Sequence, residues 1–222
     1  MLLNRILNRG TLYAASSGPK LKLGVNENGT SPWPLRNVTQ APRTMDFTLR
    51  KATLNDRSAI QQLIADSARG LSTEDYTSTQ IEAALLTVFG FDTDLVLDRT
   101  YMVAESDGKV VGCGGWSKRK TLFGGDQYPT RDSAKLDPAV DPAKIRAFFV
   151  HPRFARKGIG RAILAACENE AKAAGFSSIE LMATLPGVKL YKACGYDGES
   201  VIEHELKSGV TLPLVPMKKS LL

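Results

Sequence analysis

The stretch from Lys144 to Ala183 limits this chain most tightly. It reads as a strand over residues 144–150, a glycine-containing turn, an amphipathic helix over 160–174 and a second strand over 178–183. The helix places Ile163, Ala166, Cys167, Ala171 and Ala174 on one face, and Gly175 ends it. Where a strand passes through a glycine turn into a helix, the first amides of the helix have no intrahelical acceptor. The helix dipole adds partial positive charge at the same point. Such a turn is a ready anion site. Gly158 and Gly160 carry no Cβ, so a diphosphate can come close to the backbone. Arg156, Lys157 and Arg161 supply full positive charges beside them. The P-loop pattern G-x-x-x-x-G-K-[ST] is absent. The dinucleotide pattern G-x-G-x-x-G would need a small residue at Ile163 and would have to open a parallel repeat.

The residues upstream supply more strands and helices. Residues 47–51 alternate as a strand, and Leu54, Asn55 and Asp56 offer a helix start before Ile60, Leu63 and Ile64. A second helix is expected over 78–89. Residues 101–105 and 109–116 form a hairpin about the Asp107–Gly108 turn signal. Residues 119–142 form a long polar loop punctuated by Gly and Pro, of the kind that often serves a site. Downstream, a short helix begins near Pro186 and closes at Gly195, and residues 201–206 and 212–217 suit a terminal hairpin. The order β-α-α-β-β-β-α-β-α-β-β predicts an α/β fold, with a mixed sheet carrying helices on its faces.

Composition narrows the function classes. With 222 residues the chain can hold one domain with a full core. Apolar residues make up 43% and charged residues 23%, and no run approaches the ~20 apolar residues of a membrane span. The net charge of +6 is concentrated upstream of the domain. Arg5, Arg9, Lys20, Lys22, Arg36 and Arg43 face a single acid, Glu27, within residues 1–45. The near-neutral remainder argues against nucleic-acid binding. Three cysteines without a C-x-x-C, and two histidines, give no disulfide framework and no metal site, and suit a reducing compartment.

Residues 1–45 read as an N-terminal extension, expected to be disordered over most of its length. Its first dozen residues are basic, hydroxyl-bearing and acid-poor, as in a mitochondrial transit peptide. Two readings stay open, a targeting segment and a simple extension or start-site artefact. The expected location is accordingly cytoplasmic, or the mitochondrial matrix if the segment targets.

Val150–His151–Pro152 followed by Arg156–Lys157–Gly158–Ile159–Gly160–Arg161 resembles the acyl-CoA-binding motif of GNAT acetyltransferases, Q/R-x-x-G-x-G/A after a strand ending V-x-P. Ala155 stands at the motif's Q/R position. Leu190, Tyr191, Gly195 and Tyr196 are similar to the family's L-Y-x-x-x-G-[FY] segment, although Thr184 and Gly187 replace its usual Asn and Ala. Residues 47–56 look like the family's opening strand and helix. The resemblance covers residues 46–219 as an N-acetyltransferase domain and implies a GNAT-like, mostly antiparallel central sheet with helices on both faces.

It also implies acetyl-CoA as acyl donor, no metal, and a primary amine of a small molecule or peptide as acceptor. The chain would act as a monomer or homodimer, with neither nucleic acid nor membrane as partner. The donor would lie between splayed parallel strands ending near Val150 and Ala183, with its phosphates on residues 156–161. Amides near Phe149 and Val150 would bind the thioester oxygen. Tyr191 would be the general acid; a phenol of pKa ~10 can protonate a thiolate of pKa ~8.5 only against a modest gradient, so its placement matters more than its acidity. Glu180 and Glu105 are the candidate bases, while His151 reads as structural. Gly112–Trp116 reads as a bulged strand with close backbone approach rather than as a substrate floor. The loop 121–128 could cover the acceptor, with Asp126 receiving a cation. The alternative to an enzyme is a non-catalytic acyl-CoA-binding sensor or regulatory module.

Overall fold

The computed structural model describes residues 46–206 and 209–222. The expectations for residues 1–45 therefore lie outside the described residues. Seven strands form one sheet in the order β1-β2-β3-β4-β5-β7-β6. In chain order these are β1 (Thr48–Lys51), β2 (Tyr101–Ser106), β3 (Lys109–Ser117), β4 (Ala143–Val150), β5 (Ser178–Thr184), β6 (Ile202–Glu205) and β7 (Thr211–Ser220). Every neighbouring pair is antiparallel except β4 and β5.

The helices cover both faces because successive strand residues point to opposite sides. In β2, Met102 and Ala104 join the core beneath α4 (Ile159–Ala173), while Tyr101 and Val103 join the core beneath α1 (Arg57–Leu71). Helix α1 buries Ile60, Leu63, Ile64, Ser67 and Ala68, a single stripe at helical spacing. It is preceded by a short 3-10 turn whose capping box joins Thr53 to Asp56. Helix α4 buries Ile159, Ile163, Leu164, Cys167 and Ala171. Ala174, expected on that face, is the exposed C-cap instead, because the helix ends one residue before it. Helix α2 (Ser78–Thr87) stands where a second helix was expected. The sequence reading missed α3 (Thr93–Leu97), a single turn capped by Asp92 and too short to show a period.

The feature that positions the site is the divergence of β4 from β5. They pair only from Ala143↔Ile179 to Ile145↔Leu181. Beyond that, β4 runs on beside β3 to Val150 and β5 runs on beside β7 to Thr184. A bulge starts the divergence. Cys113 faces Phe149 and Gly115 faces Arg146, so Ala147 and Phe148 share Gly114 as partner. Ala147 takes φ 52°, a left-handed conformation that strains a residue with a Cβ. Its carbonyl accepts from the Tyr101 hydroxyl and the Cys113 thiol, each at 3.5 Å.

The glycine run in β3 has the role expected of it. A Cβ on Gly112 would stand 2.6 Å from Ile159 of α4, and one on Gly114 would stand 2.3 Å from the Phe148 ring. Small residues here let α4 and the bulge settle onto the sheet. Trp116 lies away from the divergence, donating from Nε1 to Glu170 at 2.9 Å and packing edge-on against Phe176.

Candidate active site

Helix α4 begins at Ile159 with Gly158 as its N-cap, at φ 86° and with no side-chain cap. The first helical bond closing over the turn runs from Ala162 N to Gly158 O at 2.9 Å, so the amides of Ile159, Gly160 and Arg161 precede any intrahelical acceptor. Gly158 is required by its dihedral, because nothing lies within 4 Å of a Cβ built there. Gly160 is required by space as well, since a Cβ would approach Leu190 to 3.1 Å. The side chains of Arg156, Lys157 and Arg161 are exposed around this turn.

A cleft of about 550 Å³ runs from this turn into the divergence of the strands. Phe149, Val150, Arg156, Gly158, Gly160 and Arg161 line it as expected, with Ala155 at the position where the motif departs. Two of the expected residues do not line it. Ile159 sends its side chain into the core, 1% exposed, and can offer only its amide. Lys157 holds its ammonium 5.4 Å over the Phe154 ring. Helix α5 (Leu185–Ala193) forms the opposite wall and adds Lys189 and Leu190. Its first amide, Leu185 N, donates at 2.8 Å to the Tyr76 hydroxyl, which in turn donates to Pro213 O at 2.7 Å. Burial pushes the Tyr76 phenol up to about 12, so it stays a donor.

The two amides expected to face the thioester oxygen differ. His151 N donates to Val111 O at 3.0 Å, which makes the Val111–His151 pair a hydrogen-bonded one. In an antiparallel ladder such pairs alternate, so Cys113–Phe149 is also of that type and Gly112–Val150 is not. The Phe149 N–H is thus turned toward β3, where it also lowers the Cys113 thiol against the larger effect of burial. The Val150 N–H points into the gap. Phe149 belongs to the site through its ring, not its amide.

A second cavity, of about 80 Å³, adjoins the divergence, with Val88, Phe89 and Gly90 after α2 along one wall. Phe123, Gly124 and Gly125 of the long loop line it, as do Met182 and Thr184 of β5. Phe148, Phe149 and Tyr191 line both cavities. Tyr191 is 7% exposed and stands edge-on to Phe148 and Tyr196. Burial is the main cause that raises its phenol far above the ordinary value, with the thiols of Cys167 and Cys194 adding to it. The hydroxyl therefore keeps its proton through the physiological range.

Neither candidate base reaches this junction. Glu180 lies on the same β5 face as Met182 and Thr184 but before the strands part, where it is ion-paired with Lys144. Glu105 is on β2 and accepts from Arg50 Nε at 2.9 Å. Neither lines either of these two cavities. The spacing of strands cannot show which exposed carboxylate meets which cation, and both had already found one. Asp126 is also occupied. It accepts from Thr93 N at 2.7 Å and from Arg57 at 3.0 Å, and so fastens the loop to α3. His151 caps the 3-10 turn at Pro152–Phe154, its Nδ1 accepting from Arg153 N at 3.2 Å.

Sequence reasoning passed over Arg146. It is 3% exposed in the middle of β4 and lines the smaller cavity. It is ion-paired with the wholly buried Asp92, and its Nη2 donates to Gly124 O at 3.0 Å. Asp92 also accepts from Arg131 at 2.9 Å. Burial lowers the Arg146 guanidinium from its ordinary value, and Asp92 opposes the shift. The signal was present in the sequence, since a lone arginine in an otherwise apolar strand centre needs a buried partner.

Residues 62–196 match the Acetyltransferase (GNAT) family, and the chain belongs to it. Among solved structures it is similar to the GCN5-related N-acetyltransferase of Rhodopseudomonas palustris, at 19% identity and a TM-score of 0.57 over 78% of this chain and 94% of that one. It is also similar to the PaiA N-acetyltransferase of Thermoplasma acidophilum in complex with coenzyme A, at 15% identity and a TM-score of 0.55 over 79% and 99% of the two chains. A third likeness is to YncA of Salmonella typhimurium with its cofactor acetyl-CoA, at 19% identity and a TM-score of 0.51 over 80% and 95%. No curated protein matches. These likenesses establish the GNAT-like fold expected from the two motifs.

Proposed function

We propose that the protein is an acetyl-CoA-dependent N-acetyltransferase that moves the acetyl group directly to a primary amine within a ternary complex. The observation that carries this reading is the meeting of two cavities at Phe148, Phe149 and Tyr191. The larger has an uncapped helix start and arginines at one end, as a diphosphate requires, and its volume suits an extended donor. The smaller suits an acceptor. The coenzyme A and acetyl-CoA complexes of the Thermoplasma and Salmonella proteins support the same donor.

Acetyl-CoA, when bound, supplies an acetyl group activated as a thioester. The chain's own part is placement and proton control. Amides of Ile159, Gly160 and Arg161, with the Arg156 and Arg161 side chains, hold the phosphates. The Val150 amide donates to a carbonyl oxygen in the gap, the logic of an oxyanion hole. Tyr191 keeps its proton on Oη, and because burial widens the gradient against protonating a departing thiolate, its delivery depends on a direct hydrogen bond to the sulfur. Direct transfer is favoured because no thiol lines either cavity: Cys113 and Cys167 are buried in the cores, and Cys194 lies outside both linings. The reading includes the cytoplasm as location, or the mitochondrial matrix if residues 1–45 target, and action as a monomer or homodimer.

No carboxylate lines the smaller cavity among the described residues, while Glu74 and Asp75 line the larger one; the reading has the amine enter neutral after losing its proton to water. Below an amine pKa of ~10 the neutral fraction grows about tenfold per pH unit. Thiol release from acetyl-CoA with a panel of amines tests the reading. Turnover is expected with at least one amine, and kcat/KM should climb steadily from pH 6 to 9. A plateau near pH 6–7 would show a protein base, and no turnover with bound coenzyme A would favour the sensor.

A further inference from the structure

The larger cleft carries charges of both signs, and a donor uses only one of them. Arg156 and Arg161 stand at the α4 start, where the phosphates are held. Glu74 and Asp75, in the turn between α1 and α2, line the same cleft together with Ser67 and Leu71 of α1. Helices α1 and α4 cover opposite faces of the sheet, so Ser67 and Arg161 reach the cleft from opposite sides. Other acids near the site already have cations: Glu180 has Lys144, Glu105 has Arg50 and Asp126 has Arg57. Glu74 and Asp75 are exposed, and neither carboxylate has an ion pair or hydrogen bond among the described residues. Ser67 is only 6% exposed, and its hydroxyl too has no hydrogen-bond partner among the described residues. A hydroxyl so far withdrawn from water is seldom left unpaired. An ammonium brought by a bound molecule would donate to it and meet both carboxylates. The corner is also fixed relative to the chemistry. Tyr76, next to Asp75, accepts from Leu185 N at 2.8 Å, and Leu185 opens the helix that carries Tyr191.

Size points the acceptor toward this wall. A cavity of about 150 Å³ holds benzene, so one of about 80 Å³ holds about three carbon-sized atoms. The adjoining space for a longer amine is the larger cleft, which shares Phe148, Phe149 and Tyr191 with the smaller cavity. Resting on the acetyltransferase reading, we infer that the acceptor is an aliphatic diamine. One amine reaches the Tyr191 junction and is acetylated. The other stays an ammonium and is held by Ser67, Glu74 and Asp75. It neither gains nor loses a proton, so the transfer itself is that of the proposed reaction. A monoamine leaves the acidic wall unused, and an amine with a carboxylate at its far end is repelled by it.

Putrescine, butylamine and γ-aminobutyrate share a chain length and differ at the far end, which makes them the test acceptors for the full chain. Two exposed ion pairs and one charge-assisted hydrogen bond together are worth about tenfold or more. In the wild type, putrescine should therefore exceed butylamine at least tenfold in kcat/KM, with γ-aminobutyrate below both. The double variant Glu74→Gln, Asp75→Asn should bring the putrescine to butylamine ratio within about threefold of one, and Ser67→Ala should raise KM for putrescine more than for butylamine. Butylamine equal to putrescine in the wild type, or a ratio that survives the double variant, overturns the inference. The amides keep the shape of two exposed side chains, and an unchanged thermal melt verifies the fold of the variant. Saturation-transfer NMR of putrescine and butylamine on the protein without coenzyme A gives a readout independent of turnover. Preferential binding of putrescine that is lost in the double variant supports the diamine site even if no amine is acetylated, a result that would remove the acetyltransferase reading alone. Equal signals for the two amines, or signals for neither, count against the site.

Discussion

At the scale of single residues, chemistry is concentrated where two cavities share walls. Tyr191 is the side chain there that can move a proton, and its burial keeps the phenol protonated. Tyr191→Phe is expected to lower kcat by about 10²-fold or more while leaving coenzyme A affinity near wild type. Thiol-release kinetics paired with calorimetry would separate the two effects; an unchanged kcat would leave Tyr191 a packing residue. Much at this scale was legible in advance. The glycines at 158 and 160, the arginines around them and Tyr191 all sit on the cleft, because motif spacing fixes a helix start and a helix face. Glu105 and Glu180 were not legible as ion-paired, and Arg146 was not legible as a cavity residue. Which charge meets which depends on contacts far apart in the chain, and Arg146 and Asp92 are separated by two strands and a long loop.

Among the elements, the long loop after β3 stays ordered without strand or helix because charges fasten it. Arg131 donates to Asp92 and to Asp94 at 2.7 Å, Asp126 takes Arg57 and α3, and Arg119 holds Asp98 at 2.6 Å. Loop length in the sequence pointed to a functional segment, and three of its residues do line the smaller cavity. The fastening was hidden because α3 itself is a single turn. Asp92 is the centre of this arrangement, wholly buried between Arg146 and Arg131. Removing one partner of a buried pair strands the other charge, so Asp92→Asn should destabilise the protein by about 3 kcal/mol. That corresponds to roughly 6–12 °C in Tm for a domain of this size, measurable by thermal unfolding. A loss below about 1 kcal/mol would mean that the pair is of surface type. The same variant should impair the acceptor more than coenzyme A, since the loop borders only the smaller cavity.

For the whole molecule, the decisive property is a sheet that opens at one place and is closed elsewhere. β3 glycines, the Ala147 bulge and the insertion of β7 beside β5 together hold β4 and β5 apart. The order of elements along the chain and the terminal hairpin followed from pattern, whereas the place of β7 between β5 and β6 and the bulge did not, since nothing in the run Arg146–Ala147–Phe148–Phe149 marks a left-handed alanine. Stability should respond to acid in a definite window. The Arg50 guanidinium and the Thr53 hydrogen bonds hold the Asp56 carboxyl at about 2, below its model-compound value of 3.8. A depressed carboxyl stabilises the fold above its unfolded pKa and loses that contribution as pH falls toward the folded one. The loss should therefore fall between about pH 4 and 2, be at most about 2 kcal/mol, and vanish in Asp56→Asn; an identical acid transition in the variant would assign it elsewhere. The whole account turns on whether the α4 start takes a diphosphate. Calorimetric titration of the full chain with coenzyme A measures this directly. Saturable one-to-one binding in the micromolar range, weakened at least tenfold by Gly158→Val, is the predicted result. No heat up to millimolar coenzyme A, or binding indifferent to Gly158→Val, would contradict it.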